Sequence, residues 1–336
     1  MGMEFILPIV WGAIIAIGVF LYVVLDGFDL GIGILFLSRR AEAERDVMMN
    51  SVAPVWDGNE TWLIIGGAGL MGTFSLAYAT IMPALYLPIT IMLIALVFRG
   101  VAFEFRFKAD SSKKFWDMAF FGGSFTATFF QGNNLGAFVQ GFNVENGVFA
   151  GGAFDWLTPF TILVGLSLLP GYALLGATWL VMKTEGSLQA HARTMANQLF
   201  IIVLIAMGSV SLWMVAFDAG IRERWFSLPN IYFLAPVPIL TAGVAFNLWR
   251  SLRSGHETMP FVMAIAMFAL GYLGLAVSRF PYVVPPSISI WDAAAAPDTQ
   301  LFILVGTLII LPVVLGYTVY VYRVFRGKVR VGEGYH

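Results

Sequence analysis

Apolar stretches of roughly 20 residues or more recur along the chain, separated by short polar or Pro/Gly-rich links. A helix of about 20 residues crosses the roughly 30 Å hydrocarbon core of a bilayer. The pattern therefore predicts nine membrane-spanning helices, at about 5–37, 54–74, 79–98, 117–138, 157–182, 198–217, 231–249, 259–279 and 301–323. The first is over-long: roughly 33 residues rise about 50 Å, so it must tilt, protrude or run on past the membrane. No internal repeat or low-complexity segment interrupts the series. Short links between most spans predict antiparallel helix bundles, hence a single all-α polytopic membrane domain over 1–336.

Charge supports the same count. Lys and Arg gather in cytoplasmic links, and 16 of the 19 basic residues fall in alternate links or the tail: Arg39, Arg40 and Arg45; Arg99, Arg106, Lys108, Lys113 and Lys114; Lys183 and Arg193; Arg250 and Arg253; Arg323, Arg326, Lys328 and Arg330. Arg222, Arg224 and Arg279 fall on the other side. The N-terminus is expected outside and the C-terminus in the cytoplasm. Composition excludes a soluble globule: 59% of residues are hydrophobic, 12% are charged, and mean hydropathy is +0.82. With no cysteine there is no disulfide framework, thiolate metal site or catalytic thiol. The opening "MGMEFILPIVWGAIIAIGVFLYVVL" lacks a basic n-region and a cleavage site, and reads as a retained first span.

Acids inside these spans are the candidate chemistry, because an Asp at the bilayer centre costs about 2.5–3.5 kcal/mol even on insertion scales. Asp26 and Asp29 lie three apart in span one, Asp57 and Glu60 three apart at the start of span two, so each pair shares a helical face. Glu104 follows at the inner end of span three. A protein-lined cluster of carboxyls, desolvated and mutually repelling, is suited to carrying protons at neutral pH. The bland alternative is that Asp57 and Glu60 favour a helix start and that Glu104 pairs with Arg99 or Arg106. For Asp57, between Trp56 and Trp62 and with no basic residue within ten positions, the functional reading is preferred.

Gly27 and Gly31, Gly33 and the "GGAGLMG" run read as close-packing faces rather than nucleotide loops. The three histidines, His191, His256 and His336, all fall in links or the tail, so no span offers a haem ligand and the chain is expected to carry no metal. Trp11, Trp116, Trp156, Trp225 and Trp249 fit an interfacial belt, with quinone contact the weaker alternative for one or two.

Six stretches resemble subunit II of the cytochrome bd-type quinol oxidases, the CydB family: "DGFDLGIG" (26–33), "NSVAPVWDGNETW" (50–62), "FRGVAFEFR" (98–106), "GAFVQGF" (136–142), "FPYVVPPS" (280–287) and "WDA" (291–293). They run in family order over nearly the whole chain, and "APVWDGNETW" is the most specific. The "GNETW" form and short outer links look closest to the cyanide-insensitive branch. The resemblance implies two four-helix bundles (about 5–138 and 157–279) plus a ninth peripheral helix, in a bacterial cytoplasmic membrane. It implies an oxidase that oxidises quinol and reduces oxygen to water. The partner subunit I would hold haems b and d and the quinol-oxidising loop, and small accessory single-span subunits are further partners in such complexes. Subunit II would hold no haem, catalytic group or metal; a quinone bound against it is the group left open. Asp57, within W-D-G-N, would belong to a cytoplasmic proton route, with Asp26, Asp29, Glu60 and Glu104 as further acids. Relatives carry Gln at the position of Glu60, and some an Asp at that of Glu104. Trp56, Gly58, Asn59 and Trp62 complete the motif as packing residues or quinone contacts. The competing reading is a proton-coupled secondary transporter, against which stands the lack of paired repeats; a third treats the acids as helix glue. No feature suggests nucleic-acid binding.

Overall fold

A computed structural model describes residues 2–332, so His336 lies outside the described residues. The chain folds as α1 (Met3–Leu35) with a 3-10 turn at 36–38, α2 (Glu42–Asn50), α3 (Trp56–Glu60), α4 (Trp62–Thr73), α5 (Ser75–Ala84), α6 (Tyr86–Arg106) and α7 (Lys113–Gln140). A two-stranded hairpin follows, β1 (Val144–Glu145) with β2 (Val148–Phe149). Then come α8 (Pro159–Lys183), α9 (Gly186–Phe217), α10 (Ala219–Phe226), α11 (Asn230–Leu234), α12 (Pro236–Arg253) and α13 (Met259–Arg279). A second hairpin, β3 (Tyr282–Val284) with β4 (Ile288–Ser289), precedes α14 (Pro297–Val324). The all-α expectation thus needs one correction, since two links close their backbone hydrogen bonds as small hairpins.

Among the described residues, seven helical segments are long and apolar enough to cross a membrane: Met3–Ser38, α6, α8, α9, Asn230–Arg253, α13 and α14. Two expected spans are absent from that set for identifiable reasons. Span two is broken at Thr61 into α3 and α4, so neither piece is long enough. Helix α7 has 28 residues, but buried Asp117, Ser124, Thr128 and Asn133 dilute its hydropathy. Span three was expected to begin at 79; instead the chain turns at Leu85, leaving α5 as a separate short helix. Local signals fit these limits. Gly141 takes φ +91° to end α7, Thr158 supplies a capping box before Pro159 of α8, and Gly186 at φ +67° opens α9.

Cross-links gather the connections into two ends. At the basic end, Lys113 bonds Glu42, Ser187 donates to Glu44 at 2.7 Å, His191 meets Ser38 at 3.2 Å, and Glu257 accepts from Gln189 and Lys328. At the far end, Phe5 stacks on Trp291, Trp11 donates to the Gln300 carbonyl, and Arg279 pairs with Asp218 at 2.7 Å. This grouping coincides with the alternation of basic links. His191 falls in the first turns of α9 rather than in a link. Trp11 and Trp156 are buried rather than interfacial, each satisfying its indole N–H on a backbone carbonyl.

The centre is a crossing of α1 and α8. A Cβ on Gly31 would lie 1.8 Å from the Tyr172 carbonyl oxygen, and one on Gly176 2.5 Å from the Gly31 carbonyl carbon, so only glycines permit this backbone contact. Phe28 stacks on Trp179 (centroids 4.2 Å apart) just beside it. Gly66 and Gly69 of α4 lie against Val19 and Ile15 of α1. The close-packing reading of Gly27, Gly31 and Gly33 is therefore correct, whereas Gly67 has nothing near it.

At the basic end the segment after α14 straps back over the second half. Lys183, at the end of α8, donates to the Phe325 and Gly327 carbonyls, Val329 N–H donates to the Lys183 carbonyl, and Lys328 pairs with Glu257. Hydrogen bonds from Lys328 and Gln189 hold the Glu257 carboxyl below its ordinary range. A depressed acid contributes stability that is present above its unfolded value and lost as pH falls through the folded one, so this clasp is complete at neutral pH and opens in acid. Glu257→Gln is expected to speed tryptic cleavage at Lys328 by about two- to fivefold at neutral pH, the scale of one surface ion pair. An unchanged rate would show that the Lys183 bonds and the Arg330–Glu185 pair hold the strap without it.

Candidate functional site

Helices α1 and α6 bring together the site's first pair. Asp26 lies one turn below Tyr22 on α1, and both are fully buried. Arg99, 73 residues on, reaches Asp26 with Nη1 2.5 Å from Oδ1. The basic-link expectation for Arg99 is thus corrected: it lies inside α6 with no exposure. A lone arginine at that depth would be expelled, but a carboxylate at hydrogen-bond distance offsets the desolvation. Trp56 stacks on Phe103 (4.8 Å, 5°), and the Arg99 guanidinium lies 5.8 and 5.9 Å from those two rings. Gly100 gives Trp56 room, its absent Cβ lying 3.4 Å from the indole.

A second chain of contacts starts from Asp29. Its Oδ2 accepts from Asn59 Nδ2 at 2.8 Å, and Asn59 Oδ1 accepts from the Tyr322 hydroxyl at 2.8 Å. Asn59, a motif residue, therefore ties α1 to α14 through α3, and Tyr322 is a site residue that the sequence did not single out. Trp62 is a core side chain, 2% exposed.

The five acids separate by depth. Asp57 and Gly58 are exposed, Glu60 is half-buried with Arg99, Asp26 and Asp57 as its charged neighbours, and Asp26 and Asp29 are fully buried. Asp57 is in no ion pair among the described residues. Glu104 does not join the group. At 100° per residue it points about 140° away from Arg99, and its partner is Lys108 one turn on at 3.5 Å, not Arg99 or Arg106.

Arg106 has its own acids instead. Buried beneath Phe36 and Phe107, it bonds Asp117 through Nε at 2.5 Å and Asp46 through Nη1 at 2.6 Å, and Arg45 adds a contact to Asp117 at 3.0 Å. Arg106 thus bridges two carboxylates and joins α2, α6 and α7 at the basic end, and Lys113 holds the Glu42 carboxyl below its ordinary range there.

Among the described residues no group of three or more His, Asp or Glu is placed to hold a metal ion. Haem fits no better. His191 lies beside Ser38, and the His256 carbonyl accepts from Arg193, so among the described residues both histidines belong to the basic end rather than to the buried acid cluster.

Residues 7–325 match the family of cytochrome bd terminal oxidase subunit II. Among similar proteins is cytochrome bd-I ubiquinol oxidase subunit 2 of Escherichia coli K12, 28% identical over 96% of this chain and 95% of the relative. Cytochrome bd ubiquinol oxidase subunit 2 of Bacillus subtilis 168 is 31% identical, over 95% of this chain and 96% of its own. A chain of the bd oxidase structure from Geobacillus thermodenitrificans shares the fold, with a TM-score of 0.79 and 16% identity over 95% of this chain and 98% of that one. A family match over nearly the whole chain means that the protein belongs to the cytochrome bd terminal oxidase subunit II family.

Proposed function

We propose that the chain is the haem-free subunit II of a terminal oxidase that oxidises quinol and reduces oxygen to water, and that Asp57 opens a proton route from the cytoplasm toward the haem-bearing subunit I. In this reading the chain crosses the bacterial cytoplasmic membrane nine times, with the basic end in the cytoplasm. Helices α1 to α7 form one bundle, α8 to α13 another, and α14 lies at the periphery. Support for the topology comes from the two ends, whose links alternate as the positive-inside pattern requires. The relatives, named as subunits of ubiquinol oxidases, support the activity.

The observation that carries the proton route is the ordering of the acids: exposed and unpaired Asp57, half-buried Glu60, then buried Asp26 on Arg99. A relay needs a solvent-facing acceptor that is not locked in an ion pair, and of these groups only Asp57 meets both conditions. Asp26 and Asp29 hold their positions through Arg99 and Asn59, and so shape the inner part of the route. Glu104, paired on the outer face of α6, lies off it.

Quinol oxidase turnover of Asp57→Asn, measured at intact haem content, is expected to fall by roughly 10- to 100-fold. Wild-type turnover would rule out the relay, and loss of haem would assign Asp57 to assembly instead. Glu60→Gln keeps a polar group of the same shape and is expected to retain most activity in the same assay.

A further inference from the structure

We propose that the cleft between α10, α11 and the end of α13 binds the headgroup of a zwitterionic phospholipid with a primary ammonium, phosphatidylethanolamine, from the leaflet at the far end. The site lies in the second half of the chain and is independent of the acids on α1 and α3.

The link from α9 to α12 is held against the end of α13. Asp218 caps α10 by accepting from the Ile221 N–H at 2.9 Å, and Trp225 ties the helix to Ser278 at 2.8 Å. Arg224 adds a second tie, donating through Nη1 to the carbonyls of Val277, at 3.0 Å, and Phe280. Held this way, the link leaves Phe226, Leu228, Tyr232 and Phe233 exposed at the junction of two spanning segments. Aromatic side chains at that level belong to the boundary between hydrocarbon and headgroups.

Beside them opens a cleft of about 470 Å³, with Glu223, Arg224, Ser227 and Asn230 on its polar side and Phe233 and Val277 on its apolar side. That volume lies in the range of small-molecule sites, about 300–1,000 Å³. Glu223 and Arg224 are adjacent on α10 and carry opposite charges, yet they do not pair. Among the described residues the Glu223 carboxylate has neither an ion pair nor a side-chain hydrogen bond. Arg224 spends only Nη1 on the protein, so Nε and Nη2 remain for a ligand. Ser227 and Asn230, joined at 3.2 Å, add a hydroxyl and an amide to the same wall. The other charges nearby are accounted for: Arg279 pairs with Asp218, and Arg222 lies outside the cleft, about 160° around α10 from Arg224.

One cation and one anion held apart make a neutral, dipolar site, which favours neither an anionic nor a cationic solute. A zwitterion meets both halves, with its phosphate on the free edge of Arg224 and its ammonium on Glu223. A carboxylate favours a primary ammonium, whose N–H groups donate, over a choline, which has none. The acyl chains would then pass Phe233, 76% exposed, toward the exposed Ile239 and Leu240 of α12. A soluble zwitterion would use the charges but leave this apolar rim uncovered.

Native mass spectrometry tests the site, using the purified oxidase complex delipidated in detergent and titrated with phosphatidylethanolamine, phosphatidylcholine or phosphatidylglycerol of matched acyl chains. Glu223→Gln is expected to weaken one phosphatidylethanolamine-binding event about three- to fivefold, the upper end for an exposed ion pair, and to leave the other two lipids unaffected. Glu223→Asp, which keeps the carboxylate, is expected to retain most of the binding. Glu223 is exposed and its side chain bonds no described residue, so haem content and the thermal midpoint are expected to stay at wild-type values. Glycerophosphoethanolamine, the headgroup without acyl chains, is expected to bind about tenfold or more weakly than the lipid. Equal phosphatidylethanolamine binding by wild type and Glu223→Gln would overturn the proposal. So would an equal loss for all three lipids, equal affinity for the chain-free headgroup, or loss of a co-purifying quinone in place of a phospholipid.

Discussion

Replacing Arg99 with methionine is expected to destabilise the protein by about 3–5 kcal/mol, the scale of removing one partner from a buried ion pair. The residue has no exposure and Asp26 lies 2.5 Å from its Nη1, with Asp29 and Glu60 as further acidic neighbours. Without the guanidinium, the Asp26 carboxylate must stay buried beside like charges or pull α1 away from α6. Yield and the thermal midpoint of the purified complex report the loss. The double variant Arg99→Met, Asp26→Asn is expected to recover part of it, because two neutral side chains leave no bare charge. If the double variant is no more stable than Arg99→Met alone, the damage arises from lost packing against Trp56 and Phe103, and the electrostatic account fails.

The second large effect is expected at Gly31. Even alanine puts a carbon 1.8 Å from the Tyr172 carbonyl oxygen and 2.9 Å from the Gly176 nitrogen, and both are backbone atoms that no rotamer change can move. Helices α1 and α8 must part by more than an ångström, undoing the Phe28–Trp179 stack beside the crossing. A loss of about 3 kcal/mol or more is expected, at the upper end for overpacking. Gly67→Ala is the matched control, since nothing lies within 4 Å of its new carbon. Equal thermal midpoints for the two alanine variants would show that the crossing tolerates separation. Gly27→Ala is expected to fall between them, because its obstacle is the Tyr172 ring rather than a main chain.

Helix positions were legible where hydropathy alone decides them, as in α8, α13 and α14, whereas α9 begins at Gly186, well before its expected start at 198. They were less legible where polarity or a break intervenes. The interruption at Thr61, within the polar "WDGNET" stretch, was read as part of one continuous span, and α7 exceeds its expected 117–138 at both ends. Within the site, acids three apart on α1 and α3 could be read as sharing faces from spacing alone. Arg99 could not be recognised, since an arginine near a span end reads as a topology marker, and its partner is 73 residues away. Tyr322 was invisible for the same reason: its bond to Asn59 spans 263 residues. Glu104 misled in the opposite way. It is close in sequence to Arg99 and Arg106, but helical rotation turns it to another face, where Lys108 meets it.

Lys183 sets an order on biosynthesis. Its ammonium is satisfied by the carbonyls of Phe325 and Gly327, which are translated 142 and 144 residues later. At bacterial elongation rates that interval is roughly 10–30 s. Throughout it, water solvates the Lys183 ammonium, so the strap contact is made only after α14 has been synthesised.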